Sequence, residues 1–402
     1  MTERLGTVLV VAKAPGGGRS KTRLVPPLDA SQAAALHEAL LLDTLDCCRA
    51  EVADVRILHA DPDDAAQLAR LAPGVGLELQ EGRGLADALR LGIARHAVRG
   101  AVAVVSSDVP GIPAGSLRSA FEALSAGADV VLGPALDGGY WLIAMREPHE
   151  PPFREIPWST PATLAVTRGR CEEAGLRVAE LEHWRDVDTL VDLSFVRRDA
   201  EELPAPRTIG LIRALGSLVP PPPAVELTGS ELVAGSPWRA VVHDRLRRNG
   251  TETDYGYLAV PRAVFVAAVT EGGELLLVRQ YRHPVRDWTL EVPAGSVSDG
   301  ESPLEAARRE LREETGGRGG VWTHLTTFFS SSAHLSLRSD AFLVTGVEPG
   351  EPDAEEGEDV TVIRLPLDEA VARARAGGFA EGQTALTILL AAERLGPATS
   401  PS

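Results

Sequence analysis

Lysine is almost absent from this chain: of 40 basic residues only Lys13 and Lys21 are lysine, and the rest are arginine. Positive charge as such is therefore not the reason either lysine is kept. A lysine retained against that bias points to a place that needs a compact, mobile ammonium rather than a planar guanidinium, typically against a phosphate. Cysteine is also scarce. Cys47, Cys48 and Cys171 form an adjacent pair plus one, which excludes zinc-ligand spacing and reads as helix packing in a reducing compartment. The nine histidines show no spacing with metal logic and read as structural or surface residues. No apolar run reaches membrane-spanning length, and residues 1–30 open on a strand and a glycine loop, so no secretion signal is expected. A formal net charge of −17 argues against nucleic-acid and anionic-membrane surfaces. What remains is a cytoplasmic protein that handles small molecules, and 402 residues give room for two domains.

Both lysines fall in one segment. Residues 7–12 are an apolar run suited to a buried parallel strand, and Lys13-Ala-Pro-Gly16-Gly17-Gly18-Arg-Ser-Lys21-Thr-Arg23 follows it. Glycines there let backbone amides approach phosphate oxygens. Two familiar loops are excluded: Ser20 replaces the glycine that precedes the lysine of a Walker A loop, and Lys21 occupies the third glycine position of the Rossmann fingerprint. A second buried run, 101–105, ends in Ser106-Ser107-Asp108, at the strand end where open α/β sheets bind ligands. Asp137-Gly138-Gly139-Tyr140 and Asp186-Val187-Asp188 add further acids, for which a turn-capping role is the plain alternative. Strands alternating with helices such as 31–48 predict a mixed or parallel sheet in this half.

The second half carries a different pattern. Residues 295–317 read GSVSDGESPLEAARRELREETGG. On a helix, Glu310, Glu313 and Glu314 stand at i, i+3 and i+4 and share one flank, beside an apolar stripe of Leu304, Ala307 and Leu311. Three like charges so close favour a bound divalent cation, and hard oxygen ligands suit Mg²⁺, with Mn²⁺ as the alternative. Arg309 is placed to fix the direction of a neighbouring carboxylate. A solvated acidic face is the bland alternative. Between the halves, the proline run 219–224 cannot be helix interior and predicts a semi-rigid spacer.

The run at 295–317 resembles the Nudix box, G-x5-E-x7-R-E-U-x-E-E-x-G-U with U bulky and apolar. Gly295, Glu301, Arg309, Glu310, Glu313, Glu314 and Gly316 match, Leu311 fills the first U, and Gly317 departs from the last. With Arg279-Gln-Tyr281-Arg282, Glu291 and the acidic stretch 355–359, the layout resembles the ADP-ribose/ADP-sugar pyrophosphatase branch. That resemblance implies an α/β/α sandwich. It implies metal ligation by the Ala294 carbonyl, Glu310 and Glu314, with Glu313 contributing and Arg309 supporting. It also implies a water-activating acid at Glu356 or Glu358, and substrate contacts from Arg279, Tyr281, Arg282 and Glu291. The Lys13–Lys21 loop, Ser-Asp108-x-Pro, the Asp137 loop and Asp186-Val-Asp188 together resemble GT-A-like nucleotide-diphospho-sugar transferases, which are related to nucleotidyltransferases. This resemblance implies a Rossmann-like α/β domain. Lys13, Gly16, Gly17, Gly18, Lys21, Arg23, Asp137, Gly138 and Gly139 would bind the nucleotide, and Asp108 and Asp188 would hold a metal. The segment Gln80–Asp87 departs from the family's order, which bears on base recognition, and Ser106 replaces the first acid of a sugar-transferase D-x-D.

The expectation is thus a GT-A-like domain at 1–218, a linker at 219–225, a Nudix domain at 226–395 and a disordered tail at 396–402. The second domain is expected to cleave ADP-ribose or an ADP-sugar to AMP plus a sugar phosphate, and the first to transfer a nucleotidyl or glycosyl group. Two alternatives stand beside this: a Nudix domain that senses a nucleotide-sugar and regulates the transferase, or a silent first domain. Partners are nucleotide-sugar or ADP-ribose-type small molecules, without nucleic acid or membrane. A homodimer through the Nudix domain is left open.

Overall fold

A computed structural model describes residues 6–396 except 17–20, 22–23, 26, 237–238, 299 and 354–359. The chain divides into two compact units between Gly256 and Tyr257. Among the described residues no helix is long and apolar enough to cross a membrane.

The first unit runs β1 (Thr7–Val11), α1 (Ala30–Glu51), β2 (Asp54–His59), α2 (Ala65–Leu71), β3 (Gly76–Leu79), α3 (Gly84–Ala97) and β4 (Val102–Ser106). It continues with α4 (Ser116–Ser125), β5 (Val130–Pro134), β6 (Tyr140–Met145), α5 (Thr163–Glu173), β7 (Val178–Glu180), α6 (Leu190–Arg198) and α7 (Pro206–Leu215). Seven strands form one sheet in the order β3-β2-β1-β4-β6-β5-β7. Only β6 runs antiparallel to its neighbours; the other pairs are parallel. The uninterrupted apolar strands follow from burial on both faces. Val8 and Val10 pack with Leu41 and Leu45 of α1, whereas Leu9 packs with Leu89 and Ile93 of α3. Helix α1 starts where Asp29 caps the amide of Gln32 and Gln32 returns a bond to Asp29, a reciprocal cap worth about 1 kcal/mol. Parallel β1 and β4 bring Lys13 and Asp108 to the same sheet edge.

A smaller antiparallel sheet follows, β8 (Val225–Ser236), β9 (Arg239–Arg248) and β10 (Thr251–Ala259), in the order β10-β9-β8. The sequence pattern marks no strand between the proline run and residue 263. The cysteines are free, and they lie on α1 and α5 as packing residues, Cys48 and Cys171 buried and Cys47 half-buried.

The second unit comprises β11 (Ala263–Thr270), β12 (Glu274–Arg282), β13 (Asp287–Glu291), β14 (Ala294–Ser296), α8 (Pro303–Thr315), β15 (Arg318–Phe329), β16 (Arg338–Glu348), β17 (Val360–Pro366), α9 (Leu367–Arg375) and α10 (Gly382–Leu395). Its sheet has the path β13-β12-β11-β16-β15, with β14 on β11 and β17 on β12. Alternate residues face opposite layers. Val264, Val266 and Leu276 meet Ala306, Ala307 and Leu311 of α8, while Phe265, Ala267, Leu275 and Leu277 meet Ala370, Ile388 and Ala391 of α9 and α10. The result is the expected α/β/α layering, with a mixed α/β sheet in each unit.

Candidate active sites

In the second unit α8 is specified at both ends. Ser302 accepts from the Glu305 amide, the Glu305 side chain returns to Ser302, Pro303 opens the first turn, and Gly316 closes the helix at φ 68°, a left-handed cap that favours glycine. Its apolar face is buried and Glu310, Glu313 and Glu314 project from the flank, as their spacing predicts. Glu314 is only 7% exposed and its Oε2 accepts from the Ala294 amide at 3.0 Å. Arg309 gathers the rest: Nε and Nη2 donate to Glu301 at 3.0 and 3.1 Å, Nη1 to Glu310 at 2.7 Å and to Glu313 at 3.0 Å, and Nη2 to the Ser296 carbonyl at 2.8 Å. Burial pushes the Glu310 carboxyl above its usual range despite the arginine. For Glu301, burial pushes up as well, but the bonds from Arg309 and the Ser298 amide outweigh it and hold the acid below its usual range.

The four substrate residues expected upstream separate onto two faces of the paired strands β12 and β13. Leu276 of this strand faces α8 and Leu275 and Leu277 face away, so the period of two puts Arg282 on the α8 side and Arg279 and Tyr281 on the other. Arg282 donates to Glu291 through Nε at 3.0 Å and Nη2 at 2.5 Å, and Thr289 adds 2.6 Å to the same carboxylate. Glu291 is 2% exposed and the Arg282 side chain 42%, so a buried carboxylate anchors a guanidinium that still reaches solvent. Arg279 instead lies 5.0 Å from the Trp288 ring, which meets Tyr281 edge-on at 6.0 Å; Tyr281 and Trp288 are both exposed. Trp288 went unmarked in the sequence, although its antiparallel register opposite Tyr281 follows from the tight β12–β13 connection. Glu356 and Glu358 lie outside the described residues.

In the first unit, Lys21 holds a left-handed backbone, φ 52°, uncommon for a side chain other than glycine or asparagine. Its ammonium donates to Asp108 Oδ2 at 2.5 Å, to Asp188 Oδ1 at 3.0 Å and to the Val187 carbonyl. The Val187 amide donates in turn to the Asp108 carbonyl at 3.0 Å, which fastens the 186–188 segment to the end of β4. Burial alone would lower the Lys21 pKa, but Asp108 and Asp188 raise it above the ordinary lysine value. Asp186 faces the same cluster: burial, then the charges of Asp137, Asp108 and Asp188, hold its carboxyl well above the usual range. The Asp137 loop is pinned because Gly138, at φ 85°, passes 2.1 Å from the Pro161 carbonyl at the point a Cβ would occupy; only glycine fits there. These acids line a cavity of about 230 Å³ with Tyr140 and Trp158 on its wall.

The structure thus brings Lys21, Asp108, Asp137 and Asp188 together. Lys13 is exposed beyond β1 and Gly16 takes φ 135°, while Gly17, Gly18 and Arg23 lie outside the described residues. His37 is among the histidines that the sequence reads as structural or surface residues. It is buried on α1, and burial, then the Lys21 charge, push its imidazole down to about 4. Its position on the inner face of α1 was the available signal. Among the described residues, no trio of His, Cys, Asp or Glu stands grouped for a cation; in both units a basic side chain lies between the acids instead.

The capped helix α8 thus presents three clustered glutamates against the glycine-bearing strand β14. Residues 259–384 match the NUDIX domain. The ADP-ribose pyrophosphatase of Bacillus subtilis (strain 168) is 32% identical over 142 residues, 35% of this chain and 77% of that protein. The methanol dehydrogenase activator of Bacillus methanolicus is 32% identical over 143 residues, 35% of this chain and 77% of that one. The chain belongs to the Nudix hydrolase family through this unit. Residues 44–160 match the family DUF2064, described as an uncharacterized protein conserved in bacteria. A solved structure from Desulfovibrio desulfuricans G20, assigned as a nucleotide-diphospho-sugar transferase, shares 28% identity with a TM-score of 0.50, covering 54% of this chain and 96% of that one. The first unit is transferase-like in fold.

Proposed function

We propose that the chain is bifunctional, with functional segments at 1–218 and 226–395 joined through 219–225, each centred on one of the two compact units. The second unit hydrolyses the diphosphate of ADP-ribose or an ADP-sugar to AMP and a sugar phosphate. The observation that carries this reading is the set Glu310, Glu313 and Glu314 on α8, held against Gly295 and Ala294, in a chain related to an ADP-ribose pyrophosphatase. The donor set fits Mg²⁺ or Mn²⁺: it is all oxygen, and the Glu310 carboxylate occupies a cradle that a Cβ at residue 295 would fill. Glu310, Glu314 and the Ala294 carbonyl would hold the ion, with Glu313 beside them. Such an ion supplies charge neutralisation for the diphosphate.

The protein's own groups do the rest. Arg309 orients Glu310 and Glu313 through bonds to both. Arg282, its guanidinium already fixed by Glu291, offers remaining donors to the substrate's phosphates, and Arg279 and Tyr281 extend the contact surface on the other face. Glu356, or Glu358 in its place, takes the proton of the attacking water. The water oxygen joins one phosphorus, and the bridging oxygen leaves with the other phosphate.

The first unit binds a nucleotide or nucleotide-sugar through Lys13, the glycine loop, Lys21 and the Asp137–Gly139 turn, and transfers a nucleotidyl or glycosyl group. Asp108 and Asp188 would hold its metal; a buried Asp108 Oδ1 without a hydrogen-bond partner fits an incoming cation. A screen of nucleotide-sugars with the full chain and with each unit alone tests both assignments. Mg²⁺-dependent AMP release confined to the second unit is expected, and release by the first unit alone would contradict the division.

A further inference from the structure

An ammonium has three N–H bonds to give. In Lys21 all three are in use, on Asp108, Asp188 and the Val187 carbonyl, and the side chain is 7% exposed. In this state the lysine has nothing to offer a phosphate. The same oxygens, two carboxylates and a backbone carbonyl, are the hard donors a divalent cation takes. Asp108 Oδ1 remains buried without a hydrogen bond beside them. One position is therefore built for a cation, and a side chain of the protein fills it.

We propose that Lys21 is the resident cation of the first unit's metal site, and that an arriving divalent metal displaces it toward the nucleotide's phosphates. Metal and nucleotide then bind cooperatively, because each stabilises the state in which Lys21 has left the carboxylates. This rests on the reading of Asp108 and Asp188 as metal ligands. It also explains why arginine does not replace Lys21: a planar fork could not stand in a metal-sized position and then swing on a slender stem to a new partner.

The scarcity of lysine makes the test direct. In the full chain carrying Glu310→Gln and Glu314→Gln, which removes the Nudix ligands, surface amines are acetylated and the two lysine peptides compared by mass spectrometry. Lys13, exposed, is the internal reference. Without metal, Lys21 should be modified far more slowly than Lys13. Mn²⁺ at a concentration that saturates the site by paramagnetic resonance should release it, and a non-hydrolysable nucleoside triphosphate added with Mn²⁺ should protect it again. A second variant, Lys21→Met, should bind Mn²⁺ roughly tenfold tighter or more, as removal of a competitor that leaves the site about one-tenth of the time predicts. Saturating Mn²⁺ that leaves Lys21 protected, or an unchanged Mn²⁺ affinity in Lys21→Met, overturns the displacement while the metal site stands. Absence of Mn²⁺ binding in both proteins overturns the site and the displacement together.

Discussion

The Glu310 carboxylate lies in the space that a side chain at residue 295 would need: a Cβ there would stand 2.0 Å from Oε1 and 2.1 Å from Cδ. Gly295 is paired with Val264 in the sheet and cannot retreat, so any larger residue must push the carboxylate away. Its glycine is required by close approach rather than by backbone angle. Gly295→Ala should therefore leave the fold intact by circular dichroism and lower Mg²⁺-dependent ADP-ribose hydrolysis roughly 10- to 100-fold, the range typical of disturbing groups that orient metal ligands. Parental turnover in the folded variant would place Glu310 outside the reacting centre.

The proposed proton acceptor comes from the acidic stretch 355–359, because the helix acids have other partners: Glu314 the Ala294 amide, Glu310 and Glu313 Arg309. Glu356→Gln should lower kcat by about 10²-fold or more, the usual worth of a general base, while KM and metal affinity stay near parental. Glu358→Gln should have a smaller effect. If both variants turn over normally, the base is a helix glutamate such as Glu313.

His37 gives a pH test of the first unit. The unfolded chain takes up its proton near the ordinary 6.5, but the folded chain only near 4, because burial and then Lys21 disfavour the imidazolium. Between those values the unfolded state binds more protons, so stability falls as pH drops from 6.5 toward 4. At about 1.4 kcal/mol per unit the full loss approaches roughly 3 kcal/mol. Urea unfolding at pH 7 and pH 5 should show a larger loss in the parent than in His37→Gln; parallel losses would mean that His37 does not control this window.

The box helix was legible because its information is local: spacing, cap and terminal glycine all sit within one segment. The three-stranded sheet was not. In β9, Ala240 and Val242 are the only fully buried side chains, so the alternation that marks a strand is drowned by exposed arginines. β15 opens on glycines at φ 74° and 79°, which read as a turn. The split of Arg279 and Tyr281 from Arg282 and Glu291 was available from the period of two, yet a motif read as one block conceals it. The gathering of Lys21 with Asp108 and Asp188 spans up to 167 positions. The lysine bias could flag Lys21, but only the parallel β1–β4 pairing and the returning 186–188 segment show what it touches.

The central claim, that α8 is the working element of a diphosphate hydrolase, is tested most directly by AMP release from ADP-ribose. The full chain with Mg²⁺ should yield AMP and ribose 5-phosphate in equal amounts on ion-exchange chromatography. Glu314→Gln, whose amide oxygen can still accept from Ala294 and preserve the fold, should lower the rate by about 10²-fold or more through loss of a ligand charge. No AMP from the parent, or equal rates from parent and variant, would contradict the account.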